Sequence, residues 1–193
     1  AEALLKATMY FPLTPMECFL NSSVNFYDGE LARHQKARIL AQRITGTPVK
    51  LFHDGEKVVH EFVDDKPISN FPLKAGDKKD APIVIWEFPI KDPPFGLYVA
   101  GVDPYRHSTS ATSDSLGAIY IYKRMHDIAS EKYQDMFVAA YVARPKTKEE
   151  WQENARNLIK FYNARTLCEN DEMGFIEYMK AKGDEKYLER QPS

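Results

Sequence analysis

The sequence predicts an α/β fold: a mixed sheet flanked by helices, with an extra N-terminal helical segment and a β-hairpin. Three observations predict it. Three apolar runs, Leu97–Asp103, Leu116–Lys123 and Phe137–Ala143, follow one another with connections that hold no full crossover helix. Trp151, Ala155, Leu158, Ile159 and Tyr162 then fall on one helical face. A short apolar run, Arg165–Glu169, comes next and leads into a second helical stretch.

Each element has a local reason. In "LTPMECFL", Thr14 can cap a helix, Pro15 suits its first position, and Glu17 completes a capping box. Residues 29–43 read as a charged helix with sparse apolar residues, Leu31, Ile39, Leu40 and Ile44. Such a helix is expected to lie on another surface and not to build a core alone. Composition changes at "TGTPVK", so residues 1–45 form a helical segment and residues 46–193 the main domain. "VKLFHDGEKVVHEFV" predicts a hairpin turning at Asp54-Gly55. His53 and His60 lie in or beside its strands, where histidines are ordinarily surface or cross-strand residues. "PIVIWEFPI" predicts a further strand.

The three central runs are expected to pair as an antiparallel meander. Thr147 and Glu150 form a second capping box before the amphipathic helix. The last helical stretch points Phe175, Ile176 and Met179 inward, and Gly183 can interrupt it. A strand, a helix and a returning strand normally make a right-handed parallel crossover. If Arg165–Glu169 lies beside Leu97–Asp103, two carboxylates, Asp103 and Glu169, meet at one edge of the sheet.

Composition narrows the function classes. The chain has 193 residues, which suits one ordinary domain or one domain plus an appendage. A formal net charge of −2 is not the basic balance of a protein that coats nucleic acid. A DNA enzyme stays open, because bound cations can supply local positive charge. Cys18 and Cys168 form no CxxC pair for zinc and are expected to be small buried hydrophobes in a reducing compartment. No apolar run is long enough to span a membrane and no signal peptide is visible. A soluble cytoplasmic protein is the expectation. Both ends look cut, although processing accounts equally for the missing initiator Met.

Asp103 raises the functional question. A charge ending a buried strand is costly unless something pairs with it. One answer is a turn, which Asp-Pro commonly starts. The other is a metal ligand. Paired carboxylates suit Mg²⁺ or Mn²⁺, and Mg²⁺ often takes one or two carboxylates plus substrate phosphate. Two such ions about 3.5–4 Å apart can hold the attacking and leaving oxygens of a phosphodiester.

Several segments, in order, resemble the large subunit of tailed-phage terminases, the DNA-packaging motor-nucleases. "YFPLTPMECFLNSSVNFYD" resembles the segment after the family's ATPase part. "IVIWEFP" and "GLYVAGVDPY" resemble the entry into its nuclease domain. "TSDSLGAIYIYKR" resembles its second strand, and "TLCENDEMG" its second acidic motif. The resemblance implies a ribonuclease H-like fold and two-metal endonuclease cleavage of double-stranded DNA with Mg²⁺ or Mn²⁺. Asp103 then takes the place of the first acidic ligand and Glu169 of the second. Asp171 competes with Glu169, its alternative being a cap on the next helix. Asp114 sits where the family often carries a supporting acid.

Two departures bear on activity. The family's third acidic ligand, after a further strand, has no counterpart before Ser193, and the ATPase half is absent. The resemblance thus implies a C-terminal piece with an incomplete nuclease domain, weakly active or inactive. Arg106, His107, Lys123, Arg124, Arg144, Lys146 and Lys148 are candidate phosphate contacts, against the alternative of an ordinary solvated surface. Expected partners are double-stranded DNA, the portal protein, the small terminase subunit and the ATPase domain, in the host cell cytoplasm and not on a membrane. Two other readings stand beside this one. The first is a non-catalytic docking or DNA-binding module. The second is another ribonuclease H-like nuclease, such as a resolvase or ribonuclease H itself.

Overall fold

The computed structural model describes residues 29–42, 44–69, 73–74, 76–105, 115–124, 135–169 and 173–189. The chain divides into two compact units, Ala1–Ile44 and Thr45–Ser193. In the first, helix α1 (Gly29–Ala41) buries no residue, and Leu31 and Leu40 are both 67% exposed. Four residues apart, Glu30 and His34 lie 3.7 Å from each other. The expected caps at Thr14 and Glu17, and Cys18, lie outside the described residues.

The second unit is a seven-stranded mixed sheet with helices. Its strands are β1 (Thr47–Asp54), β2 (Lys57–Phe62), β3 (Ile83–Ile85), β4 (Tyr98–Asp103), β5 (Gly117–Lys123), β6 (Met136–Ala143) and β7 (Arg165–Cys168). Helix α2 (Lys148–Tyr162) joins β6 to β7, and α3 (Met173–Ala181) follows β7. The spatial order is β2-β1-β3-β6-β5-β4-β7. Only β4 and β7 pair in parallel; the other neighbours are antiparallel. The meander β4-β5-β6 and the return of β7 beside β4 both match the sequence expectation.

Two details differ from it. Asp54 pairs with Lys57, so the hairpin turns on Gly55-Glu56, one residue later than expected. Gly55 takes φ 62°, a left-handed conformation that glycine adopts without penalty. The strand expected over "PIVIWEFPI" stops at Ile85. Beyond it, the Trp86 and Glu87 N–H groups both donate to Val138 O, at 2.8 and 3.2 Å, so the ladder register ends there.

Helix α2 holds the sheet. Thr147 Oγ1 accepts from the Glu150 N–H at 3.2 Å, satisfying an orphan donor of the first turn. Asn163 closes the other end at φ 48°, ψ 44°, and its side chain donates to Pro93 O at 2.9 Å. Trp151, Ala155, Leu158, Ile159 and Tyr162 are all fully buried against one sheet face. Burying each of the larger ones is worth about 1.5–3 kcal/mol. Trp151 stacks on Tyr141 with ring centroids 6.2 Å apart and meets Phe175 of α3 edge-on. Helix α3 ends before Gly183, which takes φ 72° while the Asp184 N–H returns to Met179 O at 2.9 Å.

A polar network ties α2 to its neighbours. Arg156 Nε donates to Asp184 Oδ2 at 2.6 Å and its Nη1 to Glu153 Oε1 at 2.8 Å. His53 Nε2 lies 3.2 Å from the same Nη1, and Lys160 Nζ reaches Asp184 at 3.4 Å. Tyr178 donates to Glu153 from α3. Burial pushes the Glu153 carboxyl up, but the Tyr178 hydrogen bond and the Arg156 charge outweigh it and hold it low. The outer edge of β7 is covered in part by the chain itself. Leu188 bridges Thr166 in parallel, the Glu189 N–H donates to Thr166 O at 2.8 Å, and Arg165 pairs with Glu189.

Two outcomes are expected. A Cβ at Gly117 would lie 2.4 Å from the Trp151 ring. Gly117→Ala therefore overpacks the core and costs about 1–3 kcal/mol in urea unfolding. The depressed Glu153 value stabilises the fold above the ordinary 4.5 and is lost as pH falls through the lower folded value. Glu153→Gln accordingly flattens the acid limb of the stability–pH curve below about pH 4.5, measured by thermal unfolding.

Candidate active site

Strand geometry places the two acids. In β4, burial alternates from Tyr98 inward to Asp103 outward. In β7 it alternates from Thr166 inward through Leu167 outward to Cys168 inward. Asp103 and Glu169 are both exposed and lie on the sheet face opposite the α2 core. The parallel register pairs Val102 with Cys168, and the Glu169 N–H donates to Val102 O at 3.0 Å. Asp103 and Glu169 are therefore the next pair in register, at the end where both strands finish. Asp103 also pairs with Ala118, so the edge includes the start of β5.

Cys168 reports on both carboxylates. Its thiol is buried on the inward side of β7, next in sequence to Glu169, as the composition predicted. Burial first, then the Glu169 and Asp103 charges, push it up to about 11. A thiol so placed stays protonated near neutrality and is no ligand for a hard cation. The oxygen donors of Asp103 and Glu169 do suit one. Among the described residues no group of three or more His, Cys, Asp or Glu side chains converges. Two carboxylates are enough only for a cation that keeps waters or takes substrate phosphate as further ligands.

The candidate phosphate contacts separate. Lys146 is exposed in the connection after β6, at the acid end, because Ala143 pairs with Gly117 beside the Asp103–Ala118 pair. Arg144 at the same end donates to Ser115 O at 2.8 Å and lies over the Tyr105 ring at 4.7 Å. Lys123 corrects the sequence reading. It is 1% exposed, and its ammonium donates to Glu87 at 2.5 Å, so it is a core cation and not a surface contact. Strand alternation points it inward at the end of β5, a consequence that a count of nearby basic residues ignores. Arg124 is exposed but follows it at the opposite end of β5, roughly 20 Å from the acids at strand rise. Arg106, His107, Asp114 and Asp171 lie outside the described residues.

Sequence reasoning missed the floor that leads to the acids. On the sheet face away from α2, Val99, Gly101, Ala118, Tyr120, Phe137 and Leu167 line an open cavity of about 1170 Å³ that also includes Asp103 and Glu169. The signal was present: "YVAGVD" and "AIYIY" are apolar at both alternate positions, a pattern of strands covered on both faces.

Comparison with protein-family models, with curated proteins and with solved structures found no match. Among the described residues no helix is long and apolar enough to cross a membrane.

Cys168 offers a check on the geometry. In a Cys18→Ser background, alkylation of Cys168 at mildly alkaline pH is expected to be slower than that of a free thiol. Asp103→Asn is expected to speed it by removing a charge that disfavours the thiolate, as read by mass spectrometry over time.

Proposed function

We propose that this chain carries the nuclease domain of a phage DNA-packaging terminase and hydrolyses phosphodiesters with divalent cations. The observation that carries the reading is the β4–β7 register, which makes Asp103 and Glu169 the next pair at one sheet end. The order β6-β5-β4-β7, with three antiparallel strands and a fourth returning in parallel, is compatible with a ribonuclease H-like fold. The ordered resemblance of four segments to the terminase large subunit adds to it.

In this reading the exposed Asp103 and Glu169 would hold Mg²⁺ or Mn²⁺ at the strand ends. The bound ions would supply charge neutralisation and an activated water. The chain's own work is positioning. The strand ends fix the two carboxylates, α2 fixes β7, and Lys146 lies at the same end to meet phosphate. Double-stranded DNA, a portal protein, a small subunit and an ATPase domain are the corresponding partners, in the host cytoplasm.

One observation favours a second reading, a docking module without catalysis: the face of the sheet beside the acids is open and apolar. Supercoiled-plasmid nicking with Mn²⁺ decides between them. The nuclease reading expects nicking that Asp103→Ala and Glu169→Ala each reduce by 100-fold or more, about two decades of rate or some 2.7 kcal/mol. Nicking that survives both substitutions and a chelator overturns it. Binding of a partner protein that ignores metal and both substitutions supports docking.

A further inference from the structure

We propose that the groove on the open sheet face binds one polynucleotide strand through unpaired bases, delivering its backbone to the Asp103–Glu169 end. The role of that end rests on the nuclease reading; the groove adds that one strand of the duplex is engaged where it is locally melted.

The first observation is the wall. Phe137 lies edge-on to both Tyr120 and Tyr122, with centroids 5.7 and 5.4 Å away. Phe137 is 57% and Tyr120 42% exposed, a large aromatic surface left to solvent on a sheet. Rings displayed on a sheet face are a stacking platform for bases, each stack being sequence-tolerant because every base has a π-face.

The second observation is the floor. Gly101 sits inside a regular strand, where glycine is a poor choice. A Cβ built there meets nothing within 4 Å, so no described neighbour requires its absence. A strand glycine often marks a place where a ligand or another backbone approaches closely. Gly101 pairs with Tyr120 on one side and Leu167 on the other, two residues before Asp103. What approaches it therefore passes beside Tyr120, roughly 7 Å from the acids along the strand.

The lining carries Asp103, Glu169 and Glu189 against Arg124 and the Arg165 that pairs with Glu189, so a polyanion is held there once the acid end is neutralised, by cations or by substitution. Asp103 and Glu169 close one end, where cations would draw phosphate in. Arg124 lies at the other end, exposed and anchored to Gly96 O at 3.3 Å. A strand lying between them places bases over the rings and phosphates at both ends. A duplex keeps its bases stacked inside and offers none to the rings.

The test uses the Asp103→Asn/Glu169→Gln chain, which removes both acid repulsion and any cleavage. Fluorescence anisotropy reads its binding to a short labelled oligothymidylate and to the matching duplex. The expected result is tighter binding of the single strand. Phe137→Ala and Gly101→Val each weaken it about 5-fold or more, the lower end of one lost base stack. Phe62→Ala, an equally exposed ring on β2, leaves it unchanged. Gly101→Val melts no lower than its parent, which separates a blocked groove from a damaged fold. Absent binding, a preference for duplex, or equal losses in Phe137→Ala and Phe62→Ala overturn the proposal. So does self-association in sedimentation that Phe137→Ala abolishes while oligonucleotide binding stays intact. Plasmid nicking by the unaltered chain keeps the two readings apart. Nicking without oligonucleotide binding sinks the groove alone, and binding with nicking that survives Asp103→Ala, Glu169→Ala and a chelator sinks the nuclease alone.

Discussion

The burial of α2 against one face of the sheet is the constraint from which the rest follows. The helix is the only described link between β6 and β7. Once Trp151, Ala155, Leu158, Ile159 and Tyr162 are committed to that face, the chain has crossed β5 and β4 and must re-enter at the far side. The parallel β4–β7 pair is the result, and four residues of β7 are enough to make it because the helix does the holding. The Arg156 network adds orientation to this burial, tying the helix to β1 through His53 and to the turn after α3 through Asp184. Buried ion pairs of this kind contribute less through net energy than through the cost of any other arrangement, which would leave charges unpaired.

The two faces of one sheet have been given different tasks by the same alternating pattern. Inward positions of β4 and β5, Tyr98, Ala100, Val102, Ile119 and Ile121, are all buried. Outward positions of β5 carry Tyr120 and Tyr122, while outward Asp103 ends β4 beside Ala118, with Gly101 level with Tyr120. A face with both rings and a carboxylate is not what a solvated surface needs. Neither is it what a covered core needs, since a core has no use for Asp103.

Much of this was legible in the sequence. The period of 3.6 that fixes α2, the Thr147 cap and the apolar runs of β4 to β7 are local signals, and the structure follows each. The meeting of Asp103 with Glu169 needed only one topological rule beyond them. What failed was vectorial. Lys123 looked like a surface cation because it stands beside Arg124 in a basic pair, yet alternate positions point opposite ways and Glu87 receives it in the core. Arg124 was a candidate phosphate contact because it lies in a strand connection, yet that connection is at the other end of the strand from the acids. The hairpin turn slipped by one residue because Asp54 satisfies strand pairing as well as it satisfies a turn. The strand after "API" ended early because two successive N–H groups share the carbonyl of Val138, a contact that no local pattern encodes.

The two outer edges of the sheet carry a further meaning. An unpaired strand edge is a template on which another chain can add itself, and proteins that leave one bare tend to precipitate or form fibres. Strand β2 guards its side with charge, Lys57 and Glu61, in the manner of an ordinary edge. Strand β7 is guarded by a doubling-back of its own chain, where Leu188 and Glu189 take up the Thr166 backbone and Arg165 is tied to Glu189. That guard covers the beginning of β7 and leaves the acid-bearing end to one side. Among the described residues, protection against strand addition is thus obtained without closing over the end where Asp103 and Glu169 come next in register. A change that loosens Leu188 or Glu189 bares an edge as well as thinning the packing that Leu188 makes against the core.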